Sequence, residues 1–156
     1  MKKFNLNQIR DYIANQSKQS KIYIGCDSTA YQKKGKWYAD YYLVVVVHID
    51  GCRGCKIFGE VVTEPDYCND KKKPTYRLMK EVYKVSELFL KLSDQIADRT
   101  VEIHLDLNPD LKYASSIVVQ QAIGYIRGTC NVVPMVKPNA FAASYAADRL
   151  LRTKII

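Results

Sequence analysis

The chain has no long hydrophobic run. Its longest uninterrupted apolar stretch is YYLVVVV at 41–47, far short of the roughly 20 residues a membrane-spanning helix needs. No signal-peptide core is present, because polar residues repeatedly interrupt MKKFNLNQIRDYIANQ. Repeats, low-complexity tracts and linker-like segments are also lacking. The cysteines, at 26, 52, 55, 68 and 130, are odd in number, which argues for reduced thiols and against a disulfide framework. These absences exclude a helical membrane protein, a secreted disulfide scaffold and a repeat array. They predict a cytoplasmic protein.

What is present is the balance of a soluble globular domain, with 47% apolar and 26% charged residues among 156. That length predicts one domain over 1–156, with 1–20 as an N-terminal helical segment. The net charge of +8 favours a polyanionic partner such as nucleic acid, although it says nothing about fold.

The apolar pattern predicts the elements. FNLNQIRDYIANQ is a short amphipathic helix. KIYIGCD is a strand, STAYQKKGKW a polar hairpin loop around Gly35, and WYADYYLVVVVHI a long strand apolar on both faces in its second half. DGCRG is a turn and CKIFGEVVT a third strand. From Pro74 onward, Leu78, Val82, Val85, Phe89 and Leu92 mark a long helix. TVEIHLD is a fourth strand, LKYASSIVVQQAIGYIRG a helix closed by Gly128, CNVVPMV a fifth strand at an edge, and KPNAFAASYAADRLLR a final helix. Strands reached through helical crossovers run parallel to a neighbour. The expected fold is therefore α/β, a mixed five-stranded sheet flanked by helices. It has three antiparallel hairpin strands and two parallel crossover strands; an α+β protein with a fully antiparallel sheet would need different crossovers.

Two of these strands end on a charge that a core cannot hold unpaired: Asp27 and Asp106. If the strands are adjacent and parallel, the carboxylates are neighbours at the end where ligands bind open sheets. On the helical wheel, Glu81 lies about 60° from the centre of the apolar stripe, whereas Glu87 lies about 180° away in solvent. Asp148 shares a face with Phe141, Ser144, Tyr145 and Leu151. Four converging acids would repel and raise one another's pKa. Mg²⁺ or Mn²⁺ would relieve this, and a two-ion site can activate an attacking water and stabilise the leaving oxygen of a phosphodiester.

The order of elements and acids resembles the ribonuclease H-like superfamily, which includes RuvC-type resolvases and retroviral integrases. IGCDS, RLMKEV, IHLDLNP and AADRL stand at its four acidic positions. With VVVVHIDG, GYIRG and KPNAFAASYAADRL, they are most similar to the YkuK-like family of predicted ribonuclease H-like proteins. No single motif is specific; their order and spacing over about 20–152 carry the resemblance. It implies a metal-dependent nuclease scaffold with Asp27, Glu81, Asp106 and Asp148 as metal ligands and catalytic residues. It names no substrate. DGCRGC departs from a glycine-rich hairpin turn, and no separate basic protrusion for gripping RNA–DNA hybrids is present.

Plainer readings stand beside these. Asp27 and Asp106 can start Asx-turns, and Asp148 can pair with Arg152. His48, Cys52, Cys55 and Cys68 have a zinc-like spacing, yet an extended strand separates His48 from Cys52 by about 13 Å, too far for one tetrahedral ion. Cys52 and Cys55 otherwise form a redox dithiol or an incidental turn. His48 reads as structural. His104 alternates onto the face of Asp106, where it can orient a carboxylate or water, or simply lie satisfied in the core. Lys33, Lys34, Lys36 and Trp37 combine phosphate-neutralising charge with a stacking surface, and Lys72 and Lys73 precede the Glu81 helix; both stretches can equally be solvated turns. The function expected is a metal-dependent nuclease or other nucleic-acid-processing phosphodiesterase. Its alternatives are a catalytically silent nucleic-acid-binding or scaffold protein and a dithiol redox protein.

Overall fold

Strands β1 (Lys21–Lys33), β2 (Lys36–His48), β3 (Cys55–Pro65) and β4 (Thr100–Leu105) form one mixed sheet in the order β3-β2-β1-β4. The structure, a computed structural model, describes residues 3–67, 75–110, 112, 113, 116 and 118–142. Strands β1 and β2 pair antiparallel from Lys21–His48 to Lys33–Lys36. Strand β3 pairs antiparallel with β2, and β4 runs parallel to β1 from Lys21–Thr100 to Cys26–Leu105.

Two expectations are corrected by this sheet. The stretch 28–37, read as a hairpin loop, is mostly ladder, with Thr29 opposite Asp40 and Tyr31 opposite Tyr38. Only Lys34 and Gly35 turn, both at positive φ (51° and 76°), as a tight two-residue hairpin requires. Beyond Cys26, β1 pairs with β2 alone and its residues become part-buried and then exposed, so it lacks the apolar pattern that marks a buried strand.

The second correction concerns strand number: among the described residues the sheet has four strands, not five. Among the described residues, the segment expected as a fifth strand contributes a single parallel bridge, His104 with Met135. Met135 N donates to Ile103 O (2.8 Å) and Leu105 N donates to Met135 O (2.9 Å). One more backbone bond follows, from Lys137 N to Leu107 O (2.9 Å), before the segment turns at 137–139, so no second bridge forms.

Helix α1 (Leu6–Ala14) starts at Asn5, whose side chain accepts from Gln8 N, a standard N-cap. Helix α2 (Thr75–Ile96) follows the predicted stripe: Leu78, Val82, Val85 and Leu92 are buried, and Phe89 packs against the core from its edge. Glu87 stays exposed and pairs with Lys91 at 2.8 Å. Helix α3 (Val119–Cys130) starts later than predicted and runs past Gly128 to Asn131, whose left-handed backbone (φ 57°) closes it. The helix continues because Cys130 is buried against Ser86, sulfur to hydroxyl 3.4 Å.

Helices α1, α2 and α3 bury one face of the sheet. Their core contains Ile9, Ile13, Val82, Val85, Leu92 and Ile126 with Ile22, Ile24, Val45, Val47 and Ile103 of the strands. On the other face Val44 and Val46 pack with Tyr23 and Ala142. The apolar half of β2 is thus covered on both sides, as its composition predicts. Among the described residues, no helix is long and apolar enough to cross a membrane. Most of the expected final helix lies outside the described residues.

Candidate functional site

The parallel β1–β4 ladder ends at Cys26 and Leu105. The next residues on these adjacent strands are Asp27 and Asp106. Asp27 does not end its strand as expected: β1 continues against β2 alone to Lys33. It instead stands where β1 loses its parallel neighbour. Its carboxylate accepts from Ser28 N at 2.8 Å.

Glu81 reaches the same place from α2. Side chains alternate along β1, so Ser28 shares a face with Cys26 and Ile24, both packed in the α2 core. The Ser28 hydroxyl donates to Glu81 Oε1. The glutamate is only 3% exposed, more deeply set than a marginal wheel position suggests. Burial pushes its pKa well above the usual carboxylate range, and the charges of Asp27 and Asp106 push it further. The Ser28 hydrogen bond and Arg77 oppose this without cancelling it. Cys26 beside it also has a raised pKa, from burial and then from Glu81 and Asp27, so it is no nucleophilic thiolate.

Asp106 has a partner that sequence reasoning missed. Lys137 Nζ lies 2.5 Å from Asp106 Oδ1. The hydrogen bond to Asp106 raises the lysine pKa, and the charges of Asp106 and Asp27 add to it against the opposing effect of burial. Its only sequence signal is a basic residue shortly after a short apolar segment. Which carboxylate it meets depends on how that segment registers against β4.

Asp27, Glu81 and Asp106 offer oxygen donors, the kind hard dications take. As they stand, no three His, Cys, Asp or Glu side chains among the described residues are gathered as a metal-holding group. Glu81 is turned to Ser28 and Asp106 to Lys137. Asp148, Lys72 and Lys73 lie outside the described residues, as does Cys68.

His104 is fully buried. Its Nδ1 accepts from Phe141 N and Ala142 N, both at 3.1 Å. That arrangement leaves Nε2 to donate to Glu102 Oε2 at 2.9 Å. The carboxylate it orients is Glu102, and its ring fixes the backbone at 141–142 between Tyr23 and Phe141. His48 Nδ1 meets the Tyr23 hydroxyl at 3.4 Å. Cys52 and Cys55 are exposed free thiols.

At the tip of the β1–β2 ribbon, Lys33, Lys34 and Lys36 are exposed. They line a groove of about 430 Å³ with Tyr31, Tyr38 and Thr63. The Tyr31 and Tyr38 rings stack with centroids 6.0 Å apart. Trp37 lines a neighbouring groove with Lys36, Pro65 and Tyr67. Six residues of extended chain, about 20 Å, separate Lys33 from Asp27.

No curated protein and no solved structure matches the chain significantly. A family model described as Ribonuclease H-like matches residues 5–152, a span that includes both aspartate strands and the Glu81 helix. The chain belongs to the ribonuclease H-like family.

Proposed function

We propose that this chain is a metal-dependent nuclease or nucleic-acid-processing phosphodiesterase, with Asp27, Glu81, Asp106 and Asp148 as ligands for two Mg²⁺ or Mn²⁺ ions. The observation that carries this reading is the placement of three acids around one end of the parallel ladder, although their carboxyl groups are not gathered as a metal-holding group among the described residues. Asp27 and Asp106 follow the last pair of a parallel ladder, and the charges of both act on the buried Glu81. Crowded acids are costly unless neutralised, and an all-oxygen donor set suits a hard dication. Two such ions, when bound, supply the charge that activates water and stabilises the leaving oxygen of a phosphodiester.

The remaining roles belong to the chain itself. Ser28 holds Glu81 toward β1. Lys33, Lys34 and Lys36 neutralise backbone phosphates, Trp37 offers a stacking surface, and Lys72 and Lys73 add charge. His104 supports the site from behind through the backbone at 141–142. Within the family, IGCDS, IHLDLNP and KPNAFAASYAADRL support assignment to the YkuK-like group. The free thiols of Cys26, Cys52, Cys55 and Cys130 suit the reducing cytoplasm.

One observation favours a second reading. Lys137 compensates the charge of Asp106, as it would in a catalytically silent nucleic-acid-binding or scaffold protein. Thermal unfolding with and without Mg²⁺ or Mn²⁺, together with cleavage of labelled RNA and DNA, separates the two. A nuclease shows metal-dependent cleavage and a metal-raised Tm, and both are lost in the Asp27→Asn, Asp106→Asn double variant. If wild type and variant respond alike to metal and neither cleaves, the binding-protein reading replaces the enzymatic one.

A further inference from the structure

The cation beside Asp106 is part of the fold. Lys137 N donates to Leu107 O at 2.9 Å, and Leu105 N donates to Met135 O at 2.9 Å. These two backbone bonds, one on each side of Asp106, tie 135–137 alongside 105–107. The lysine stem therefore starts next to the carboxylate, and little reach remains for Nζ to close the 2.5 Å contact. The Lys137 side chain is 42% exposed and that of Asp106 19%, so the ammonium is the outer partner and has solvent to move into. The charge of Asp27 also attracts it. The lysine thus serves the pair of aspartates, while Glu81 has its own partner in Ser28.

Resting on the metal-site reading above, we propose that Lys137 is the resident counter-ion of the site: its ammonium neutralises the Asp27–Asp106 pair in the metal-free protein and must leave Asp106 before a divalent cation binds there. An ammonium 2.5 Å from Oδ1 stands where a metal would approach that oxygen, and its charge repels the incoming ion. Lys137 therefore sets the dication concentration at which the site fills. It is a positioning residue for the empty site and a competitor for the occupied one.

The test is calorimetric titration of the full chain with Mn²⁺, without nucleic acid, on wild type, Lys137→Met, Lys137→Arg and Asp106→Asn. Removing one positive charge beside a dication should tighten Mn²⁺ binding at least about tenfold in Lys137→Met, and the metal-free variant should melt lower. Lys137→Arg keeps the charge and should bind no tighter than wild type. If Lys137→Met binds Mn²⁺ no tighter than wild type while Asp106→Asn abolishes binding, the counter-ion role is overturned and the metal site stands. If neither wild type nor Lys137→Met binds Mn²⁺, the metal reading falls and the counter-ion role with it. NMR of the Lys137 ammonium in wild type gives a second readout that needs no substitution. Mg²⁺ should move its resonance and quicken its exchange with water; an unchanged ammonium while the carboxylate resonances shift also overturns the proposal.

Discussion

The Ser28 hydroxyl donates a hydrogen bond to Glu81, and so joins the residue after Asp27 to the buried carboxyl of α2. This bond ties the edge of the sheet to the helix at the centre of the site. Leaving a buried acceptor without its donor costs about 1–3 kcal/mol. Ser28→Ala should therefore lower the urea midpoint of the metal-free protein by a corresponding amount, and Ser28→Thr should keep most of it. Equilibrium urea unfolding followed by circular dichroism measures both.

Glu81 predicts a pH dependence of definite sign. Its pKa is raised in the folded state, first by burial and then by Asp27 and Asp106. Below the ordinary glutamate pKa, both folded and unfolded chains hold the proton. Above it the unfolded chain releases the proton first, so stability from this group falls as pH rises until the folded carboxyl also ionises. Glu81→Gln removes that loss. In EDTA, its Tm should gain on wild type as pH rises from about 4 toward neutrality. Parallel Tm curves would show that Glu81 keeps an ordinary pKa.

The Glu64 clamp has the opposite sign. Its two carboxylate oxygens meet Lys80 and Lys84 at 2.6 Å each and tie β3 to α2. Burial raises its pKa, but the hydrogen bonds from the two lysines, with their charges, outweigh this and lower it. The stabilisation is present at neutral pH and lost as pH falls through the lowered pKa. Glu64→Gln should cost about 1 kcal/mol at pH 7, and the difference should vanish in acid. Chemical denaturation at the two extremes checks it.

The ribbon tip predicts a salt dependence. Each phosphate contact contributes about 0.7 to the salt slope for single-stranded nucleic acid. The Lys33→Gln, Lys34→Gln, Lys36→Gln variant should therefore lose about 2 from that slope, and its metal-induced change in Tm should match wild type. Fluorescence anisotropy over a salt series measures the first. An unchanged slope would remove the ribbon from the nucleic-acid interface.

The parts of the fold visible in the sequence are those where burial imposes a local period. The valines of β2 are apolar at successive positions because both faces are covered. The α2 stripe repeats at three to four residues because one side meets the sheet. The outer half of β1 looks like a loop in the sequence for the same reason, since a polar ladder carries no burial signal. Helix α3 outran Gly128 because the burial of Cys130 against Ser86 outweighed a glycine's preference to stop the helix.

The sequence by itself determined the buried strands and helices, the covered faces and the candidate acids Asp27, Glu81 and Asp106, because charge next to apolar runs is conspicuous along the chain. Only the tertiary structure decided that β4 lies parallel against β1, that Ser28 holds Glu81, and that Lys137 sits on Asp106. Those relationships are contacts between segments distant in the chain. They are set by strand register and by where backbone hydrogen bonds close, and local spacing does not encode either.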